Sequence, residues 1–276
     1  MQVRILLIKV FISILFISNG TIQAQTYADN SKIAFIRQHN VKSIKVTSYP
    51  YIKGEPSKKG VLKNSYHYDM EGKLIDVYNY LPDGSLVSQN KYIYNLDDSL
   101  ITFQYFSITG GGNSTTRIEY EASGLRKAEY FQKSGNNVLS ATYSYNKLKL
   151  PAEVTLFIDP FSGKTGKVTY EYDQNNRLVS LTRQNIGKIP FLKEVFYYDS
   201  AGALTGITSF DEDQTIRKSI KYKYAQKGKI IEIFTEEMNS SEKRLLFYNS
   251  KRMLIEEKVS SSAKGMFLIK YEYEYY

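Results

Sequence analysis

The chain contains no cysteine and no tryptophan, and only two histidines and six prolines. Without cysteine there is no disulfide framework, thiol nucleophile or lipid-anchored mature terminus, so the fold rests on packing and hydrogen-bond ladders. His39 and His67 fall in different elements, and no Cys/His cluster has zinc spacing. No Gly-x-Ser-x-Gly elbow occurs, and Gly110-Gly111-Gly112-Asn113 lacks the lysine and following helix of a phosphate loop. The chain is therefore read as a non-enzyme with no catalytic residue and no cofactor. Long apolar runs are equally scarce. The stretch Val10–Ile17, preceded by Arg4 and Lys9 and followed by Ile22-Gln23-Ala24, reads as an export signal over residues 1–24, cleaved after Ala24. It is too short to span a bilayer comfortably, and no other segment approaches membrane-helix length, so no transmembrane helix is expected. The expected location is the periplasm, the cell surface or the exterior.

Tyrosine is what the chain has in excess, with 25. Nine of these tyrosines recur in phase: Tyr68, Tyr94, Tyr120, Tyr145, Tyr172, Tyr198, Tyr224, Tyr248 and Tyr273. Their spacings of 26, 26, 25, 27, 26, 26, 24 and 25 residues signal a repeat architecture. Two places before each anchor stands another large apolar or aromatic residue, from Tyr66 and Tyr92 to Leu246 and Tyr271. Alternation with period two in such residues marks a half-buried strand. Asp or Asn usually follows the anchor, as at Asp69, Asp173 and Asp199, where its side chain favours the first turn position. Three residues later comes Gly72, Gly202 or Gly228, or Asn176 in one copy, each tolerant of the left-handed conformation. An aliphatic residue such as Leu74, Leu178 or Leu204 then restarts the strand.

Treating residues 69–72 as a four-residue loop predicts that Tyr68 faces Lys73, Tyr66 faces Ile75 and Asn64 faces Val77. The same rule pairs Tyr92 with Ile101, Tyr170 with Val179, Tyr222 with Ile231, Lys221 with Glu232 and Arg244 with Glu257. In the copies at Tyr120 and Tyr145, Leu125 and Leu150 arrive one residue early, which predicts distorted turns there.

Residues 25–60 form an N-terminal region. Asp29-Asn30-Ser31 can cap a short helix through about Gln38, with Ile33 and Ile36 on one side. It is too short to hold itself and should pack over one end of the sheet. A lead strand from Lys42 to Tyr49 and a loop follow. From residue 61 to 276 each repeat supplies two strands. One lead strand, nine anchor strands and eight return strands make an all-β antiparallel meander of about 18 strands. Accumulated twist should curl this single sheet into an open spiral or close it.

The phrase Tyr-x-Tyr-Asp-x-x-Gly-x-Leu, complete from Tyr66 to Leu74 and near-complete from Tyr170 to Leu178 and from Phe196 to Leu204, resembles the YD repeat of the rearrangement-hot-spot (RHS) family. The resemblance runs from about Val61 to Tyr276. It implies a β-meander wound into a shell, exported or displayed. Family members often enclose a toxic C-terminal domain. The few copies, and the expected lack of a cargo domain, carry over the fold and not toxin delivery.

Losing the signal removes Arg4 and Lys9, which lowers the net charge from +9 to +7. The lysines are scattered among acids, without the basic stripe that nucleic acid would need. Among the carboxylate clusters, Asp211 and Asp213 are the best candidates for a cation, although carboxylates at a hairpin tip are usually just solvated. The repeated tyrosines are scaffold positions first. A sugar-stacking platform is the rival, since phenol rings pair an apolar face with a polar tip. The reading that results is an exported, non-enzymatic structural or binding module of the cell envelope or exterior. Its ligand or partner is open, with polysaccharide or an envelope protein as candidates. An outer-membrane β-barrel is the third alternative. It needs an aliphatic band on one face, where Glu119, Glu171, Lys223, Lys270 and Glu272 stand.

Overall fold

A computed structural model describes residues 33–110, 112–133, 136–159, 164–184, 190–225 and 228–276. The expected export signal and the expected helix cap, Asp29–Ser31, lie outside them. Residues 33–38 form a short helix, and strands make up most of the rest. They are β1 (Val41–Ile52), β2 (Glu55–Pro56), β3 (Val61–Tyr68), β4 (Leu74–Tyr80), β5 (Leu86–Tyr94) and β6 (Leu100–Ser107). There follow β7 (Ser114–Tyr120), β8 (Arg126–Lys133), β9 (Asn136–Tyr145), β10 (Pro151–Asp159), β11 (Lys164–Tyr172) and β12 (Leu178–Arg183). The last are β13 (Leu192–Tyr198), β14 (Leu204–Phe210), β15 (Ile216–Tyr224), β16 (Ile230–Glu237), β17 (Ser240–Tyr248), β18 (Leu254–Ser261) and β19 (Gly265–Tyr275).

From β3 onward each strand pairs antiparallel with the next. The meander closes because β1 pairs on both sides: Ile44 lies opposite Tyr66 of β3 and opposite Tyr273 of β19. The two-residue β2 pairs only with the end of β1, leaving an 18-strand barrel. Closure removes the exposed edges that an open spiral would carry.

The anchor turns follow one plan. The Asp69 N–H donates to the Lys73 carbonyl and the Gly72 N–H to the Asp69 carbonyl, both at 3.0 Å. The Asp69 side chain accepts the Lys73 N–H at 2.8 Å. The same bonds recur at Asn95, Asn146, Asp173, Asp199 and Asn249. The fourth residue is always left-handed: Gly72, Gly124, Gly202 and Gly228, Asn176, and also Asp98, Lys149 and Arg252. The turns after Tyr120 and Tyr145 are as regular as the others, with Glu121 N–H to Leu125 and Asn146 N–H to Leu150, both at 2.8 Å. The expected distortion is absent because Leu125 and Leu150 hold the Lys73 position and Arg126 and Pro151 hold that of Leu74.

The expected register is corrected. The turn already offsets the pairing by one residue, and a bulge beside each anchor adds a second. Tyr68 therefore faces Leu74 and Tyr66 faces Val77. Tyr92 meets Phe103, Tyr170 meets Leu181, Tyr222 meets Ile233, and Glu232 pairs with Lys223. Two one-residue steps restore the original face, so the apolar alternation survives an error that a single step would have inverted.

Both hydrophobic clusters lie on the tyrosine face. One gathers Ala141, Val154, Leu156, Val168, Tyr170, Leu178, Leu181 and Phe196; the other gathers Ile36 of the helix with Val41, Ile44, Val46, Tyr68 and Met253. Val154 and Val168 are 0% and 1% exposed on a sheet with no other described element over it. The buried aliphatic side chains gather on this face and the cross-strand ion pairs on the other, so the tyrosine face is the inner one. The bulge brings Leu178 and Leu181, three apart in sequence, into the same cluster.

The phenols then tie the repeats together. Tyr94 donates its O–H to the Leu74 carbonyl at 2.9 Å, and Tyr120, Tyr145, Tyr172, Tyr198, Tyr224, Tyr248 and Tyr273 do the same to Leu100, Arg126, Pro151, Leu178, Leu204, Ile230 and Leu254. Every acceptor sits at the bulge of the preceding hairpin, where the ladder is locally interrupted and a carbonyl needs another donor. Replacing one phenol by Phe (Tyr198→Phe) should cost about 1–2 kcal/mol in urea unfolding, because the Leu178 carbonyl loses its donor. An unchanged midpoint would mean water serves the carbonyl equally well.

Candidate functional site

The inner wall is layered along the barrel axis. At the anchor-turn end lie the phenols and the aliphatic clusters, with the helix packed on Tyr68, Met253, Tyr66 and Tyr273. Farther from the helix the inward positions become polar. On β3 to β7 they carry neutral groups: Asn64 donates to Asn79 at 2.6 Å and Asn79 to Ser88 at 2.9 Å. In the same region the Asn90 Oδ1 and Ser114 Oγ atoms are buried without a partner. On β12 to β17 the inward residues are charged. Register places Arg183 beside Val168, Glu194 beside Leu181 and Ser209, and Lys218 beside Ser209 and Glu237.

Two glutamates occupy inward positions that are apolar in most repeats. Glu129, opposite Ile118, accepts from Arg126 at 3.0 Å and from the Tyr143 O–H at 2.5 Å. Glu257, opposite Leu246, accepts from Arg244 at 3.2 Å and from the Tyr271 O–H at 2.6 Å. Burial first, and then the adjacent glutamate, pushes both phenols well above the ordinary tyrosine value. These groups are matched within the chain, as buried charges require. Arg244 thus reaches Glu257 as expected, although diagonally and not as its register partner.

The sequence candidates are placed as follows. His39 bonds the Phe35 carbonyl through Nδ1 at 2.9 Å at the end of the helix. His67 points outward beside Ser65, at 3.2 Å, and packs edge-on against Tyr78. It faces Asp76 across the strand pair. Asp211 pairs with Arg217 at 3.0 Å, and Asp213 accepts the Thr215 N–H at 3.0 Å. That backbone bond holds the Asp213 carboxyl below its usual range. Among the described residues no group of three His, Cys, Asp or Glu side chains is arranged to hold a metal. The inward charges at Arg183, Glu194 and Lys218 were missed in the sequence. Their signal was a polar residue at the inward phase: Glu194 and Arg244 stand four places before their anchors, in step with Asn64 and Asn90.

The outer wall is charged. Glu153 pairs with Lys167 at 3.0 Å, and Glu232 with both Lys223 and Lys243 at 2.9 and 3.0 Å. No described helix is long and apolar enough to cross a membrane.

No protein-family model matches the chain, and no curated protein matches it. Solved structures with partial similarity include a Tc holotoxin pore of Photorhabdus luminescens with a mutated TccC3 component, at 11% identity over 82% of this chain and 14% of that one, TM-score 0.41. A TcdB2–TccC3 structure without its hypervariable C-terminal region is 10% identical over 75% and 16%, TM-score 0.30. The chain thus spans only a small fraction of those two. A porin-like protein from Bacteroides uniformis is 12% identical over 85% of this chain and 98% of its own, TM-score 0.45. Likeness at this level says nothing of function.

Proposed function

We propose that the chain is an exported, water-soluble β-barrel of the cell envelope or exterior, acting as a structural or binding module and not as an enzyme. The observation that carries this reading is the sidedness of the wall: tyrosines and aliphatics face inward, and cross-strand ion pairs face outward. A lipid-facing barrel needs the reverse, an apolar band outside and polar groups within. The repeated rings also face inward, so a glycan would meet them from the lumen and not on an outer platform.

Closure with 18 strands is the feature that favours an outer-membrane barrel. Partition decides between the two. The full chain, expressed without its signal, should stay monodisperse in detergent-free buffer and fail to float with phosphatidylcholine vesicles. Aggregation that only detergent relieves, with recovery in the floating fraction, would reverse the assignment.

A further inference from the structure

Among the charges on the inner wall, one guanidinium makes no ion pair with any described residue. Arg183 is only 8% exposed. Its Nη2 donates to the Pro190 carbonyl at 3.3 Å, while Nε is buried with no partner. No carboxylate among the described residues lies within ion-pairing distance of it. The neighbouring cations are taken: Arg217 by Asp211 at 3.0 Å and Lys218 by Glu237 at 2.9 Å. Glu194, the acid nearest in the charge pattern, accepts from Ser209 at 3.2 Å; its charge acts on Arg183 through space, without a hydrogen bond or ion pair between them. The contrast with Arg126 and Arg244, each held against a glutamate, is direct.

Taking a guanidinium out of water without a hydrogen-bonded counter-charge is costly, and chains keep such a group where a ligand supplies the missing contact. The fork of Nε and Nη atoms fits two oxygens of one planar or tetrahedral oxyanion. Arg183 shares the inner face with Leu181 and Val168, so its partner comes from the lumen. We propose that Arg183 is the anion-reading residue of a lumenal site that takes a carboxylate- or sulfate-bearing ligand, in competition with the Glu194 carboxylate beside it. The inference rests on the soluble-module reading. That reading fails on the partition test, and this one on a titration.

The full chain is titrated calorimetrically with sodium glucuronate, sodium sulfate and glucose, with ionic strength held constant by sodium chloride. Glucuronate or sulfate should bind saturably, with Kd on the order of millimolar, and glucose should give no signal. Binding of glucuronate alone assigns an acidic sugar; binding of sulfate, with or without glucuronate, assigns the oxyanion as the element read. Arg183→Gln should weaken the response by about tenfold or more while keeping the β signal of the wild type. Glu194→Gln should tighten it severalfold by removing a competing negative charge. Absence of any saturable anion signal in the wild type, or undiminished binding by Arg183→Gln, overturns the site. If Arg183→Gln does not fold, Glu194→Gln decides: unchanged affinity overturns the site.

Discussion

Between pH 10 and 12 the barrel should unfold over a narrow interval, with tyrosinate absorbance and loss of the β signal rising together. Burial pushes the phenols of Tyr145, Tyr172 and Tyr273 up to about 12 from an ordinary value of 10.0. It raises Tyr68 and Tyr170 further. In these groups the protonated form is favoured by the fold. Their contribution is complete below pH 10, where both states hold the proton. It is lost as pH rises through the folded values, because the unfolded chain has already ionised. Each phenol in that condition steepens the loss by about 1.4 kcal/mol per pH unit. Several act at once, so the transition should be cooperative. A gradual tyrosinate rise centred near pH 10, with the β signal intact, would show that the rings are open to hydroxide.

A second large effect is expected at one turn glycine. A Cβ at Gly72 would lie 2.5 Å from the Ile33 carbonyl oxygen and 2.9 Å from the Arg37 nitrogen, while φ is already +84°. The obstruction is backbone of the short helix, which cannot swing aside as a side chain does. Gly72→Ala should therefore cost about 3 kcal/mol, from left-handed strain and from displacement of the helix. Gly124 has φ +79° and open space around it, so Gly124→Ala should cost only about 1 kcal/mol. Urea midpoints of the two variants, with limited proteolysis after Arg37, separate the terms. Equal losses would mean that the helix does not bear on the turn.

The period, the anchors, the strand number and the short helix were legible because each rests on local chemistry. Tyrosine alternation and Asp-x-x-Gly corners act within a few residues, and Ile36 is among the most buried side chains. Register was not legible. The left-handed residue is Asp98, Lys149 or Arg252 in three copies, and nothing in Leu74-Ile75 announces that Ile75 is the extra one in a bulge. Closure was out of reach as well, because it depends on Ile44 finding both Tyr66 and Tyr273. The unpartnered Nε of Arg183 shows only once the strands around it are placed.

The double pairing of β1 also sets an order of events. Val41 lies opposite Tyr275, so the last ladder to form joins residues from nearly opposite ends of the described chain. Until the final strand emerges, the growing sheet presents two unsatisfied rims, and its contact order is high. Such a chain matures late and as a unit, and until the barrel closes it depends on whatever shields those rims from a neighbouring copy.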